Sequence, residues 1–444
     1  MRCAVLPALV FAIAAPAARA DDWPQWLGPK RDSVWRETGV LQRFPAGGPK
    51  VLWRVPIDGG FSGPAVADGR VYVTDFVTAG DRSAPASDKR QKLPGKERVL
   101  CFSAADGKPV WKHEYDCEYY VSYDIGPRCT PAVAGGKVYT LGAMGNLLCL
   151  DATSGSVVWQ KDLKKEYGIK APLWGFAGHP LVDGQKLFVT VGGDGSVLVA
   201  FDKDTGKEIW RALSAKESGY CPPSMIRAGG VRQLVLWTSE DIASVDPDTG
   251  KEYWSVPLKP AYGMSITAPR RWHDYLFAGG IGFKAALVKL AADKPAATVV
   301  WEGKQSTAVY PVNSTPFIED GIIYGVDQPG CLRAVKLETG ERLWESYKPV
   351  AGKDLPTGTR FNSGTAFLVK NGDRFVIFSE TGDLILARLS PKGYEEVSRA
   401  NILAPTSPLP QFGRTVVWTH PAFANKCVYA RNDKELVCVS LAAL

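Results

Sequence analysis

Short apolar stretches recur along this chain, each closed off by turn residues. The clearest are rich in Val, Tyr and Phe: "RVYVTD", "KVYTLG", "KLFVTVG", "GIIYGVD", "RFVIFS" and "CVYAR". Their length and composition predict β-strands. A shorter strand precedes most of them, opening with Ser, Thr or His and a Pro, as in "SGPAVADG", "CTPAVAGG", "GHPLVDG", "STPFIEDG" and "THPAFANK". A third strand follows, such as "LLCLD", "VLVAFD" or "LVCVS". Then comes a polar turn and a strand ending in Trp: "ADGKPVW" at Trp111, "TSGSVVW" at Trp159, "DTGKEIW" at Trp210, "DTGKEYW" at Trp254 and "ETGERLW" at Trp344. In all five the Gly stands four positions before the Trp.

With Trp53 and Trp301 added, the Trp residues recur about every 40–50 positions, the period of propeller blades. Four short strands per period predict an all-β fold, an eight-bladed β-propeller of four-stranded blades. The eighth fourth strand is "YEEVSRANIL", where Val397 takes the Trp position four after Gly393. The chain opens with a fourth strand, "PKVLWRVP", and closes with three strands that lack one. Pairing Val51–Val55 with "ELVCVSL" would complete the last blade, close the ring and leave no gap between sheet edges. The Gly gives the turn a positive φ, and each indole fills the wedge between blades, burial that stabilises by about 2–3 kcal/mol. Trp53, Trp111, Trp159, Trp210, Trp254, Trp301 and Trp344 are therefore expected to be structural.

These turns resemble the repeat of the pyrroloquinoline-quinone (PQQ) family, whose unit contains "LDxxTGxxxW". "FDKDTGKEIW" and "VDPDTGKEYW" match closely, "LDATSGSVVW" and "VKLETGERLW" well, while "AADKPAATVVW" before Trp301 lacks the Gly turn. The resemblance spans nearly all of the chain after its first 20 residues and implies the propeller fold. It implies either of two functions. Quinoprotein alcohol and sugar dehydrogenases of this superfamily hold PQQ and Ca²⁺ on the propeller axis. Other members, such as the propeller lipoprotein of outer-membrane β-barrel assembly, hold no cofactor and bind protein.

Composition adds a destination. "MRCAVLPALVFAIAAPAARADD" has a basic start, an apolar run and the small-residue site "ARA". This reads as an export signal over residues 1–20, followed by one propeller domain over 21–444. Net charge is +7 over 444 residues, or +5 once Arg2 and Arg19 leave with the signal, which gives no footprint for nucleic acid. The basic stretch "DKRQKLPGKER" reads as a solvated loop. No later segment is a membrane-span candidate, and a monomer is expected. Eight of the nine Cys lie beyond the signal. Cys117–Cys129 and Cys427–Cys438 are candidate disulfides, with free buried thiols equally open. No C-x-x-C pair occurs, and no metal site is indicated.

The residues at or just before the first strand of each blade should approach the axis: Arg128, Trp174, His179, Thr267, Asn313, Arg360, Asn362 and His420. They read either as caps of strand ends around a wet channel or as an anion or polar-ligand site. A quinone site would need a Trp floor, cationic partners for the PQQ carboxylates, hard oxygen ligands for Ca²⁺ and a carboxylate base, and a buried carboxylate beside a Trp platform and an Arg would favour one. No adjacent Cys pair, local acidic cluster or long covering insertion stands out; the longest insertion is the region of residues 75–96. The expectation is an exported binding or scaffold module without identifiable catalytic machinery and without a cofactor. Its partner would be an envelope protein or a small polar ligand. The alternative is a small PQQ- and Ca-dependent alcohol or aldose dehydrogenase using the axial pocket.

Overall fold

A computed structural model describes residues 21–82, 89–356, 359 and 361–443. The proposed signal peptide and Arg360 lie outside the described residues. Among those described, eight four-stranded antiparallel sheets follow one another around the ring, each running from an inner to an outer strand in chain order. Blade one, for example, is Ala65–Ala67, Arg70–Val77, Leu93–Ser103 and Pro109–Tyr119. Blade eight joins Ala422–Ala424, Cys427–Arg431 and Glu435–Ser440 to Val51–Pro56 near the start of the chain. Trp53 faces Cys438 and Arg54 faces Val437 in that closing pair. The predicted ring closure is the observed one.

The second and third strands are buried almost throughout and the outer strands mostly exposed, so the cores lie between neighbouring blades. Most of the motif indoles are gripped from two sides. On one side lies the second strand of the same blade. Tyr72 stands 5.9 Å from Trp111, Tyr139 6.2 Å from Trp159 and Phe188 5.7 Å from Trp210, between ring centroids. On the other side lies the Gly turn of the next blade. Trp111 Nε1 donates to Ala152 O at 3.0 Å, and Trp159 Nε1 to Lys203 O at 2.9 Å. A Cβ added to Gly155 would stand 2.5 Å from the Trp111 ring, and one on Gly206 2.7 Å from Trp159. Gly thus meets two demands, a φ near +70° and room for an indole.

Trp254 shows what happens when the motif lapses. The next blade supplies "AADKPAAT" instead of a Gly turn, and Trp254 Nε1 donates to Gln233 Oε1 of its own blade at 2.8 Å. Gln233 is buried and its amide also donates to Ala228 O at 2.9 Å. The Gln233 side chain replaces the missing carbonyl, while Val235 holds the strand position that is aromatic in the neighbouring blades.

Every outer strand carries a β-bulge one residue before the Trp position. In blade two, Trp159 faces Cys149 and Val157 faces Leu150, leaving Val158 bulged. The bulge turns the indole toward the next blade and breaks the regularity of an exposed edge. It also corrects the reading of blade seven. There Ser398 faces Leu386 and Val397 is the bulged residue. The Trp position belongs to Ser398, because Ser390 pairs directly with Gly393 and the turn is tighter than in its sister blades.

Neither candidate disulfide is formed; all eight described cysteines are free and buried. Cys117 ends an outer strand with its sulfur 4.0 Å from Asn146 Oδ1. Cys129 precedes an inner strand with its sulfur 3.7 Å from Phe176 O, so the two occupy different radii of the ring. Cys427 faces Ser440 and Cys438 faces Tyr429, which makes that pair diagonal neighbours on adjacent strands.

Gly155→Ala should lower stability by about 2–4 kcal/mol, the sum of a left-handed Ala and a displaced indole. Gly184→Ala, with φ +58° and open space around its Cβ, should lose only the conformational part, about 1 kcal/mol. Denaturant unfolding of the two variants side by side checks the difference.

Candidate functional site

The eight connections from outer strand to next inner strand meet on one face of the ring, and each contributes to a single axial cavity of about 560 Å³. The opposite face is crossed by the residues that precede the first strand. This strap pairs Trp23 with Val66 of blade one, and Pro24 O accepts from Val133 N of blade two at 2.8 Å. Arg31 then donates to Pro180 O at 2.9 Å and to His179 O at 3.2 Å. Arg270 of blade five donates to Asp32 O at 2.8 Å. Trp35 N donates to Lys370 O of blade seven at 2.8 Å.

The strap carries Trp26 onto the axis. Its indole stacks on His179 at 4.9 Å and 11°, and His420 meets it edge-on at 5.8 Å. Arg31 lies over its other side at 5.1 Å. Trp26 therefore floors the cavity, whose mouth faces the connections.

Five residues foreseen from sequence line this cavity: Arg128, Trp174, His179, Asn313 and His420. Thr267 is buried behind it, donating to Gly279 O at 2.7 Å. Asn362 belongs to a separate cavity of about 320 Å³ with Asp327, Arg333 and Arg342. Its connection carries it outward, and its carbonyl accepts from Arg414 Nη2 at 2.8 Å.

The polar mouth expected from sequence is instead a ring of aromatics. Phe61, Tyr123, Tyr220, Tyr262, Phe412 and Trp418 join Trp174 in the wall. The signal was an aromatic residue in the connections themselves, upstream of the strand-start positions singled out.

Several of the wall's polar groups are committed, whereas the Nε1 of Trp26 on the floor is buried without a hydrogen-bond partner among the described residues. Arg128 donates to Trp174 O at 2.8 Å, Ser122 O at 2.8 Å, Tyr123 O at 2.6 Å and also Gly126 O, while its guanidinium lies 5.4 Å from the Phe61 ring centre. His179 Nδ1 accepts from Thr130 N at 2.9 Å, which places its proton on Nε2. Asn313 Nδ2 donates to Thr365 Oγ1 at 3.1 Å. Burial, reinforced by His420 and Arg31, holds the His179 pKa well below its ordinary value. Burial pushes His420 down to about 3. Both imidazoles are neutral near pH 7.

Trp418 is pinned from behind. Its Nε1 donates to Glu380 Oε2 at 2.9 Å, which also accepts from Thr365 N at 2.9 Å. Arg414 Nε donates to Glu380 Oε1 at 2.8 Å. Here is a buried carboxylate beside a Trp and an Arg, yet Glu380 is 1% exposed and does not line the cavity.

The two histidines give a signed pH dependence. Their native pKa values lie below the unfolded value of about 6.5, so below that pH the unfolded chain binds protons that the native state refuses. Stability should fall as pH drops from about 6.5 toward 3, by at most about 1.4 kcal/mol per pH unit for each imidazole. His420→Gln should flatten that slope, whatever its offset at pH 7, in unfolding curves recorded across the range.

The family model described as outer membrane protein assembly factor BamB matches residues 95–280 and 238–443. Among solved structures, BamB from Moraxella catarrhalis superposes with a TM-score of 0.55 at 16% identity, over 88% of this chain and 97% of that one. A quinohemoprotein alcohol dehydrogenase from Comamonas testosteroni gives 0.59 at 13%, over 97% and 82%. A europium-containing methanol dehydrogenase gives 0.58 at 12%, over 94% and 89%. At these identities the likeness is one of fold. No curated protein matches the chain.

Proposed function

The chain belongs to the family of PQQ-repeat β-propellers described as outer membrane protein assembly factor BamB, and from that premise we propose that it is an exported binding module whose working surface is the axial mouth. One observation carries the reading. All eight connections converge on a floored, aromatic cavity with no Asp or Glu among the described residues of its lining. A binding module needs shape and apolar surface at such a place. A dehydrogenase needs a carboxylate base and a metal there as well. The reading as an exported protein rests on the basic, apolar and small-residue order of residues 1–20. No helix among the described residues is long and apolar enough to cross a membrane.

The trio of Glu380, Trp418 and Arg414 favours the quinoprotein alternative, so the fit of PQQ and Ca²⁺ to this wall deserves a direct test against the donors present. PQQ brings three carboxylates, and Arg128, the charged residue among the described lining, already has four of its five N–H donors on backbone carbonyls. Glu380 has both oxygens engaged by Arg414, Trp418 and Thr365. Among the described residues, no group of three or more His, Cys, Asp or Glu could hold a metal ion. The donors of the described residues are a poor match for PQQ with Ca²⁺, which supports the binding-module reading.

Purified protein titrated with PQQ and Ca²⁺ should show no saturable change in absorbance or heat, and no dye reduction on adding an alcohol or aldose. Saturable binding accompanied by dye reduction would overturn the binding-module reading.

A further inference from the structure

We infer that the axial cavity receives a neutral, flat, aromatic small molecule, held by stacking between the rings of its wall. This rests on the reading of the mouth as the binding site and names what the mouth selects. Size comes first. About 560 Å³ lies within the roughly 300–1,000 Å³ of small-molecule pockets.

Charge comes second. A cation would find no carboxylate among the described residues of the lining and would meet the Arg128 guanidinium. An anion would meet that same guanidinium with four of its five N–H groups directed at the carbonyls of Trp174, Gly126, Ser122 and Tyr123. It would leave water without gaining the donors that repay desolvation. The two imidazoles stay neutral and change neither argument. Polarity comes third. A sugar-like ligand presents several hydroxyls, each of which must be satisfied on burial. The wall is mostly ring faces and edges, and the Asn313 amide already bonds Thr365.

The wall is also set in advance for rings. Trp174 and Tyr220 stand 5.7 Å apart in an edge-to-face pair, and Trp418 is fixed through Glu380. Tyr123 and Tyr262 hold left-handed backbones, with φ +55° and +57°, a conformation that is costly for a side-chain-bearing residue. Tyr262 is 78% exposed and yet lines the cavity. A strained, exposed tyrosine over an aromatic well is stabilised by the ring it would cover.

The test uses three fluorescent probes of similar ring size on the whole protein: neutral N-phenyl-1-naphthylamine, anionic 1-anilinonaphthalene-8-sulfonate and cationic proflavine. The neutral probe should bind saturably and about tenfold more tightly than either charged one. Tyr262→Ala, which removes an exposed ring and spares the core, should weaken it about tenfold. Trp174→Ala should do the same and Trp174→Phe should recover most of the loss. Tyr120→Ala, an exposed tyrosine outside the lining, should change nothing. Equal or tighter binding of a charged probe, no binding of the neutral one, or indifference to Tyr262 and Trp174 would overturn the ligand class. So would tighter competition by a Trp-bearing peptide, which would make the cavity a socket for a protein anchor. None of these outcomes touches the binding-module reading, which falls only on PQQ binding with dye reduction.

Discussion

The contact between the indole of one blade and the glycine turn of the next is the constraint on which the rest of this structure depends. Flat sheets standing radially diverge with distance from the axis, and something large must fill the widening gap. An indole does so and carries one N–H, which must be satisfied when buried. The next blade's turn offers a carbonyl at the required place, and the glycine lets that turn approach the ring. Six of the seven motif tryptophans make this bond to a neighbouring backbone carbonyl. The seventh, Trp254, uses Gln233. The two demands are coupled, and the sequence lost them together: where the glycine turn disappears, a buried glutamine takes up the N–H.

This coupling explains why the fold was legible. Gly and Trp at a fixed interval describe a contact between blades, so counting them counts interfaces and therefore blades. Ring closure was legible for the same reason, because a lone outer strand at one end and three inner strands at the other complete one sheet. Blade seven shows where counting fails. Its two-residue turn shifts the register by one, and sequence spacing placed Val397 where the structure puts Ser398. Turn length is set by local hydrogen bonding that spacing does not encode. The strap was not legible at all. "DWPQWLGPKRDSVW" has no strand period, and its order comes from contacts with blades far along the chain, such as Arg31 with Pro180 and Trp35 with Lys370.

The axial site was half legible, for a related reason. Positions next to the inner strands were found because strand starts are regular, and Arg128, Trp174, His179, Asn313 and His420 all reach the cavity. Their chemistry was misjudged because the aromatics that dominate the wall lie on irregular connections. Tyr123, Tyr262 and Phe412 occupy segments with no repeat to align them. Asn362 was close in sequence to an inner strand and still turned away, since its connection leads outward to the pocket beside Asp327.

That division follows from the architecture. Indole, glycine and carbonyl fix the blades, and they leave little freedom in strands or in the turns between third and fourth strands. The connections that cross from outer to inner strand carry no such duty, and all eight must pass the axis. They are the part of the chain free to vary in chemistry while the ring stays closed. A repeat that specifies the ring so firmly therefore says little about what sits at its mouth, and the solved structures that share the fold include both an outer membrane protein assembly factor and alcohol dehydrogenases. In this chain the strap adds a further commitment. By placing Trp26 on the axis it converts a passage into a well, and a floored well with aromatic walls is a place for something to rest rather than to pass through.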